Sequence, residues 1–263
     1  MKRIHLFEFE DLKWFPNTLR MCMTRYIVTF HKMLGTRKPL AELVAKALKH
    51  SKKPEVIDLC SGAGGPMLDV AEELRTEHGY KDLQLRLSDL YPNVKTAQQV
   101  NSKNDPSTTY LTEPVNAAEV SDDLTGVRTM VCSMHHMRPE VAKSILQDAQ
   151  EDEQPICVYE ISDNAPPVFL FWIAIPFVIL MVFFVTPMIR PMTWQQIVFT
   201  YLIPVLPFLI AWDGAVSNAR TYTIEDMAEL TKDLQKENYT WESGKIKGKG
   251  GKKLYLLGLP QIA

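Results

Sequence analysis

Cysteine is scarce in this sequence, and none of it is spaced for metal binding. The four cysteines are Cys22, Cys60, Cys132 and Cys157, and no two of them form a CxxC pair. Neither do cysteine and histidine cluster at zinc-ligand spacing. Three of the cysteines lie in apolar runs, where a free thiol behaves as a small hydrophobic group. We therefore expect no metal site and a reduced protein that faces the cytoplasm.

An excess of charge of either sign is also lacking. The chain has 29 basic and 31 acidic residues among 263, a net charge of −2 and a pI near 6.3. This balance gives no overall attraction to nucleic acid, so a nucleic-acid partner is not expected. The N-terminal MKRIHLFEFEDLKWFP has acidic residues where a signal peptide needs its apolar stretch, which argues against secretion.

Charge is absent altogether from residues 165–189, which are almost wholly apolar. Arg190 ends this run, and a second apolar run covers residues 197–212. The first is long enough to cross a bilayer as a helix, whereas Pro204 and Pro207 interrupt the second. Three arrangements fit: a transmembrane hairpin, a monotopic hairpin in one leaflet, or a hydrophobic dimer interface. We expect a membrane-associated helical hairpin at 165–212, in contact with the lipid bilayer.

Outside that insertion, strands and helices alternate, which is typical of a doubly wound α/β sheet. Residues 1–50 predict an N-terminal helical cap. Residues 51–164 predict the main part of a Rossmann-like core, which residues 213–263 complete. The predicted strands cover residues 55–59, 83–87, 109–111, 128–133, 155–161, 239–246 and 253–259.

A glycine-rich turn follows the first strand, in EVIDLCSGAGGPMLDVAEEL. Glycine permits positive φ and lets the backbone approach a ligand without a Cβ in the way. The helix that follows presents free N–H groups to a polar ligand. A tight turn without a ligand is the alternative. The candidate ligand-binding residues here are Asp58, Ser61, Gly62, Gly64 and Gly65.

An acid closes the second strand, in LRLSDLYPN. In doubly wound folds an acid at this place binds ribose hydroxyls, so Asp89, followed by Leu90, predicts an adenosine ligand. The G-x-G-x-x-G fingerprint of nicotinamide cofactors fails, because Met67 occupies its third glycine position when the motif starts at Gly62.

The run DLCSGAG from Asp58 to Gly64 resembles the D-x-x-x-G-x-G signature of class I S-adenosylmethionine-dependent methyltransferases, with Cys60 where glycine is commonest. The resemblance covers residues 55–161 and the C-terminal helix and strand pair. It implies a mostly parallel Rossmann-like sheet with an antiparallel C-terminal strand, S-adenosyl-L-methionine as cofactor, and methyltransferase activity. It places the glycine-rich loop near the methionine part of the cofactor, Asp89 at the ribose, and Val115 and Asn116 near the adenine.

Two histidines follow the fourth strand, in CSMHHM, at the edge where such sheets bind ligands. His135 and His136 are the candidate catalytic bases, although methyl transfer can also proceed by alignment alone. Ser133 precedes them as a candidate cofactor contact. The candidate substrate-binding residues are Trp14, Glu160 and Asp213. Asp213 could instead pair with Arg220 and support the structure where the chain returns to the sheet.

The insertion leaves from the ligand edge of the sheet, and a lysine-rich turn at Lys245–Lys253 suits anionic lipid headgroups. Together these features favour a hydrophobic small-molecule or lipid acceptor that resides in the membrane. Two alternatives stay open: a methyltransferase for a soluble small molecule that uses the insertion only as an anchor, and a non-catalytic S-adenosylmethionine-binding membrane protein.

Overall fold

A computed structural model describes residues 1–261 of the chain. Its α-helices are α1 (Asn17–Met33), α2 (Arg37–Leu48), α3 (Met67–Glu77), α4 (Val94–Asn101), α5 (Pro139–Glu151), α6 (Phe169–Val185), α7 (Trp194–Ile197), α8 (Val205–Arg220) and α9 (Ile224–Thr231). Short 3-10 turns lie at Phe9–Asp11, Met134–His136, Thr186–Met188 and Lys232–Leu234, and a π-helical turn at Val198–Leu202.

Within residues 1–261 one seven-stranded sheet has the order β3-β2-β1-β4-β5-β7-β6. Strands β1 to β5 are parallel, β7 is antiparallel to β5, and β6 is antiparallel to β7. This confirms the predicted doubly wound, mostly parallel sheet with an antiparallel C-terminal strand. The strands are β1 (Glu55–Leu59), β2 (Gln84–Leu87), β3 (Thr108–Tyr110), β4 (Val127–Val131), β5 (Ile156–Glu160), β6 (Tyr239–Gly248) and β7 (Gly251–Pro260).

The contacts divide the described chain into two units. The insertion unit comprises Met1–Met33 and Ser162–Thr223, and the sheet unit comprises Leu34–Ile161 and the chain from Ile224 onward. Residues 1–50, predicted as one N-terminal cap, are thus divided between the two units. Helix α1 shares a hydrophobic core with the apolar helices, whereas α2 packs on strands of the sheet.

The core of the sheet unit lies between the central strands and their helices. Every residue of β1 and of β5 is buried, as expected for parallel strands covered on both faces. Leu40 and Val44 of α2, and Val70 and Leu74 of α3, are fully buried in the same cluster. This packing fixes the carboxyl ends of the strands, where the candidate site residues lie.

The insertion unit is built on helix α6, which continues through Pro176 and packs along α8. Helix α8 extends to Arg220, eight residues beyond the predicted end of the insertion at Trp212. The segment Phe169–Met188 is long and apolar enough to cross a membrane. The pair Trp194–Leu202 and Val205–Arg220 meets the same criterion only jointly, and it is bent by 87°.

The lysine-rich turn is smaller than predicted. Lys245 and Lys247 belong to β6, Lys252 and Lys253 belong to β7, and Lys249 alone of the lysines lies in the turn. Lys253 is 4% exposed, and burial lowers its pKa. Lys253 therefore does not belong to a lysine surface that contacts lipid headgroups.

Candidate active site

The loop after β1 has a backbone conformation that allows a ligand to approach it closely. Cys60, Gly62 and Gly65 have φ of 58°, 52° and 45°, in the left-handed region that disfavours side chains. A Cβ added at Gly62 or at Gly65 would meet nothing within 4 Å, so open space lies above both residues. At Gly64, by contrast, an added Cβ would touch the Leu87 side chain at 3.6 Å, so this glycine packs against β2.

Asp58 holds the loop from beneath. Its Oδ2 accepts a hydrogen bond from Ser61 Oγ at 2.6 Å, and its Oδ1 accepts one from Thr129 Oγ1 at 2.7 Å. The carboxyl group is 3% exposed, and burial raises its pKa to about 7 even though the two hydroxyls favour the charged form. Asp58 and Ser61, predicted to bind cofactor, are thus engaged with each other and shape the loop.

Asp89 joins the loop to the second strand. Its Oδ2 accepts the backbone N–H of Gly62 at 2.8 Å, and its Oδ1 accepts that of Tyr91 at 2.9 Å. The residue is half-buried, and each carboxylate oxygen can accept further hydrogen bonds. The structure therefore brings together the glycine turn and the acid that the sequence singled out separately.

Tyr110, at the end of β3, is a site residue that the sequence reasoning missed. Its hydroxyl donates to the carbonyl oxygen of Gly62 at 2.7 Å, and the side chain is 1% exposed. Burial raises its pKa to about 12, with Asp89 and Asp58 adding to the effect, so the hydroxyl keeps its proton. In the sequence, an aromatic residue at the end of a short strand is indistinguishable from a residue of the hydrophobic core. Only the contact with Gly62 in the structure reveals its role.

The loop after β3 passes beside Asp89. Val115 donates its backbone N–H to the carbonyl oxygen of Asp89 at 2.9 Å. Asn116 is exposed, and its side-chain oxygen accepts the N–H of Ala118 at 3.1 Å, which stabilises the local turn. Leu90 is also exposed. Their roles toward a cofactor stay predictions.

The two histidines lie in the 3-10 turn after β4, with ring centroids 4.3 Å apart. Glu160, at the end of β5, binds His135 twice: its Oε2 lies 2.9 Å from His135 Nδ1, and its Oε1 accepts the His135 backbone N–H at 3.1 Å. His135 is 4% exposed and Glu160 is 1% exposed. Both oxygens of Glu160 thus contact His135, which holds the histidine in position. Contact of Glu160 with a substrate stays a prediction.

Ser133 ends the β4 segment with a buried hydroxyl. The residue is 6% exposed, and its Oγ has no hydrogen-bond partner among the described residues. A buried hydroxyl without a partner is rare, because its desolvation is uncompensated. Contact of Ser133 with a cofactor stays a prediction.

Trp14 and Asp213 belong to the insertion unit. Trp14 is 71% exposed, and its ring contacts that of Phe15. The Asp213 carboxylate accepts the backbone N–H groups of Phe9 and Glu10 at 2.8 and 3.2 Å, so it caps the N-terminal 3-10 turn. Contacts of Trp14 and Asp213 with a substrate stay predictions.

The predicted ion pair between Asp213 and Arg220 is wrong. Arg220 instead pairs with Glu8 at 3.0 Å and with Asp11 at 2.8 Å. Two residues seven positions apart on one helix are separated by about 10 Å along its axis, which is too far for a direct contact. The N-terminal segment supplies the acids, which the sequence pattern does not reveal.

Comparison with known proteins supports this fold at low sequence identity. The chain is 10% identical to the plantazolicin methyltransferase BpumL, solved in complex with SAH, over 94% of this chain and 98% of that chain, with a TM-score of 0.53. The chain has the Rossmann-like methyltransferase fold. It matches no protein-family model and no curated protein sequence.

Two further solved structures are similar to the chain over part of their own length. The mitomycin 7-O-methyltransferase MmcR is 14% identical, with 84% of this chain and 52% of that chain covered and a TM-score of 0.48. Human N-acetylserotonin methyltransferase, solved with SAM, is 14% identical, with 89% and 56% covered and a TM-score of 0.47. The chain spans about half the length of these two proteins.

Proposed function

We propose that the chain is a methyltransferase that uses S-adenosyl-L-methionine to methylate a hydrophobic acceptor dissolved in a membrane. The observation that carries the cofactor assignment is the contact between Asp89 and the Gly62 N–H. It links two features, 27 residues apart in sequence, that bind opposite parts of an adenosyl ligand in this kind of sheet. The similar methyltransferase BpumL is solved with SAH, a ligand of the same type.

The residues present fit such a cofactor. Gly62 and Gly65 leave open space above the loop, and Asp89 offers carboxylate lone pairs for ribose hydroxyls. The buried hydroxyl of Ser133 has no hydrogen-bond partner within residues 1–261. When bound, the cofactor supplies a methyl group on a positively charged sulfur. Asp58, Ser61 and Tyr110 hold the loop in shape from below and from the side.

Cys60 is kept from competing for that methyl group. Burial, with the Asp89 and Asp58 carboxylates adding to it, raises the pKa of the Cys60 thiol to about 12. Thiolates are the nucleophilic form of cysteine, so a thiol with this pKa stays inert at neutral pH. A cysteine in the loop is therefore compatible with methyl-transfer chemistry.

His135 is the candidate base. Because Glu160 lies against Nδ1, the neutral ring carries its proton there and keeps a lone pair on Nε2. A histidine positioned in this way can take the proton of an acceptor hydroxyl or amine, and Glu160 stabilises the charged ring that forms. His136 lies beside His135 and is the second candidate.

The proposed acceptor is apolar because the chain carries a long exposed apolar segment. Seven apolar side chains between Phe169 and Met188 are more than 40% exposed, and such a segment is expected to contact lipid. An enzyme held in lipid meets membrane-dissolved molecules at high local concentration. The second candidate is a soluble small-molecule acceptor, with the insertion serving as an anchor, and it requires only the same cofactor site.

The test is methyl transfer from S-adenosylmethionine labelled in its methyl group. The native protein and His135→Ala are incubated with a total lipid extract in vesicles, and with an aqueous metabolite extract. We expect label in the organic phase with the native protein, and at least about a hundredfold less with the variant. Label confined to the aqueous phase would favour the soluble acceptor, and no label in either phase would contradict methyl transfer.

A further inference from the structure

We propose that the insertion unit enters a single leaflet of an anionic phospholipid bilayer and does not cross it. This inference deepens the proposed function, on which it rests for the membrane-resident acceptor. It decides between the transmembrane and monotopic hairpins that the sequence left open. Four observations carry it: the exposed face of α6, the short return of the chain beside α6, the packing of α1, and the charge of the unit.

One face of the α6 segment is apolar and exposed along its whole length. Its members follow one another at intervals of four, four, three, four and four residues, which places them on one side of a helix. Phe177 is 71% exposed and Phe184 is 79% exposed. We call this face the membrane stripe; it comprises Phe169, Ile173, Phe177, Leu180, Phe184 and Met188.

The opposite face of α6 is packed against protein. Val182 and Val185 are buried with Leu206 and Ile210 of α8 in one hydrophobic cluster. A helix with one face in contact with protein and the other bare suits the plane of a leaflet, where one side meets acyl chains.

The return of the chain beside α6 is too short to span a bilayer. The Trp172 and Trp212 rings lie 5.6 Å apart, so Trp212 of α8 is level with the start of α6. Only Val205–Trp212 is apolar before Asp213, and these eight residues rise about 12 Å. This is less than half of the roughly 30 Å hydrocarbon core.

The preceding segment does not lengthen that path. Trp194–Leu202 meets α8 at an angle of 87°, with Pro204 at the break. Proline lacks an N–H and ends helical hydrogen bonding locally. A returning transmembrane helix would run parallel to α6. Here the chain runs across the end of α6 instead.

Helix α1 keeps the turn of the hairpin on the same side of the bilayer as α1 itself. It packs against α7, just after the hairpin turn, as well as against α8. It carries Arg20, Arg25 and Lys32, and a helix with several permanent cations is costly to place in a bilayer centre. Because α1 stays outside the hydrocarbon centre and packs against α7, α7 cannot lie on the far side of the bilayer.

The charge of the unit complements an anionic surface. The insertion unit contains eight arginines and lysines and five acidic residues, and its segments 17–33 and 165–212 hold four of the basic residues and none of the acidic ones. Arg190, at the turn, is exposed, and its guanidinium donates to the backbone carbonyls of Pro187 and Ile189 at 2.7 and 2.8 Å. Exposed Trp14 and Trp194 have the amphipathic rings found at membrane interfaces.

Flotation tests insertion. The full chain is mixed with sealed vesicles of phosphatidylcholine and phosphatidylglycerol, and floated fractions are compared for the native protein and the double variant Phe177→Asp, Phe184→Asp. We expect the double variant to partition at least about tenfold more weakly, because two aspartates enter the acyl region. Val141→Asp, at an exposed apolar residue of α5, is the matched control and should float like the native protein.

Each variant is also titrated with S-adenosylmethionine in the absence of vesicles. Retained cofactor binding with lost flotation in the double variant supports the inference. Native protein that stays in the aqueous fraction, or that forms a dimer which Phe177→Asp separates, overturns the inference but leaves the proposed methyl transfer standing. If the native protein does not bind S-adenosylmethionine, the proposed function is contradicted, but the single-leaflet insertion is not.

Iodide quenching tests the number of leaflets. Protein is added to preformed sealed vesicles, and Trp194 fluorescence is obtained as the difference between the native protein and Trp194→Phe. We expect iodide outside the vesicles to quench Trp194 and iodide trapped inside to leave it unchanged. Quenching from the inside only would place the hairpin turn across the bilayer and overturn the single-leaflet arrangement.

Discussion

The smallest working part of the candidate site is the contact between His135 and Glu160. We expect Glu160→Gln to lower kcat about a hundredfold with little change in KM, because the amide no longer stabilises a protonated ring. His135→Ala combined with Glu160→Gln should be no slower than His135→Ala alone. Methyl transfer from labelled cofactor measures these rates, and a multiplicative loss in the double variant would show that the two residues act independently.

Asp58 makes the stability of the fold depend on pH. Its pKa is about 7 in the folded chain and about 4 in the unfolded chain, so the protonated form favours folding. This contribution is complete below about pH 4 and is lost as the pH rises through about 7. Between these values native protein should lose up to about 4 kcal/mol of unfolding free energy relative to Asp58→Asn.

Urea denaturation across that pH range measures the difference between the two proteins. Other carboxyl groups titrate in both, so only the change in the difference reports Asp58. A difference that stays constant from pH 4 to pH 7 would contradict the raised pKa.

Single residues could be predicted from sequence where the strand ends place them. Asp89 and Gly62 each follow a recognisable strand, so each could be identified as a candidate site residue, whereas the hydrogen bond between them is seen only in the structure. The contact between Glu160 and His135 joins neighbouring strands, but which oxygen meets which nitrogen depends on rotamers. Arg220 was paired with the wrong acid, because its partners, Glu8 and Asp11, lie more than 200 residues away in sequence.

At the scale of elements, the glycine loop depends on positive φ at Gly62. We expect Gly62→Ala to weaken cofactor binding at least about tenfold, because strain of about 1–2 kcal/mol adds to a methyl group in the ligand's space. Gly79→Ala is the matched control: its φ is 80°, its Cβ would also meet open space, and it lies in the turn after α3.

Calorimetric titration with S-adenosylmethionine and thermal denaturation are measured on both variants. Both should lose similar stability, and only Gly62→Ala should lose affinity. Equal affinity in the two variants would mean that the loop does not approach the cofactor.

Strand β3 supports the same loop through Tyr110. Tyr110→Phe removes the hydrogen bond to the Gly62 carbonyl, worth about 1 kcal/mol, so we expect about fivefold weaker cofactor binding. Tyr80→Phe removes a similar hydrogen bond, to Ala45, away from the loop. Calorimetry should show no change for Tyr80→Phe, and an equal loss in both variants would contradict a specific role for Tyr110.

Most elements of the sheet were predictable, because alternating strands and helices carry a strong periodic signal. The exact ends were less so: β6 extends to Gly248 and β7 begins at Gly251, since their hairpin continues through lysines that the sequence pattern predicts as a turn. The end of the insertion was set at Trp212, where apolar residues stop, yet α8 continues for two more turns. Composition indicates whether a helix is surrounded by apolar groups, but it does not indicate the residue at which the helix ends.

At the scale of the whole molecule, the chain combines two units whose surfaces suit different surroundings, water for the sheet unit and lipid for the insertion unit. The sheet unit buries its apolar residues internally, whereas the insertion unit exposes an apolar face. The sequence predicted both, because a charge-free run of this length has no place in a small core. It did not predict that Met1–Met33 belongs with the insertion, since amphipathic helices pack on either kind of partner.

The central claim is that this sheet binds S-adenosylmethionine through Asp89 and the glycine loop. Calorimetric titration of the native protein, of Asp89→Ala and of Asp82→Ala, an exposed acid just before β2, tests it most directly. We predict saturable one-to-one binding to the native protein and to Asp82→Ala, and at least about tenfold weaker binding to Asp89→Ala, which loses charge-assisted hydrogen bonds. No binding by the native protein, or equal affinity in all three, would contradict the claim.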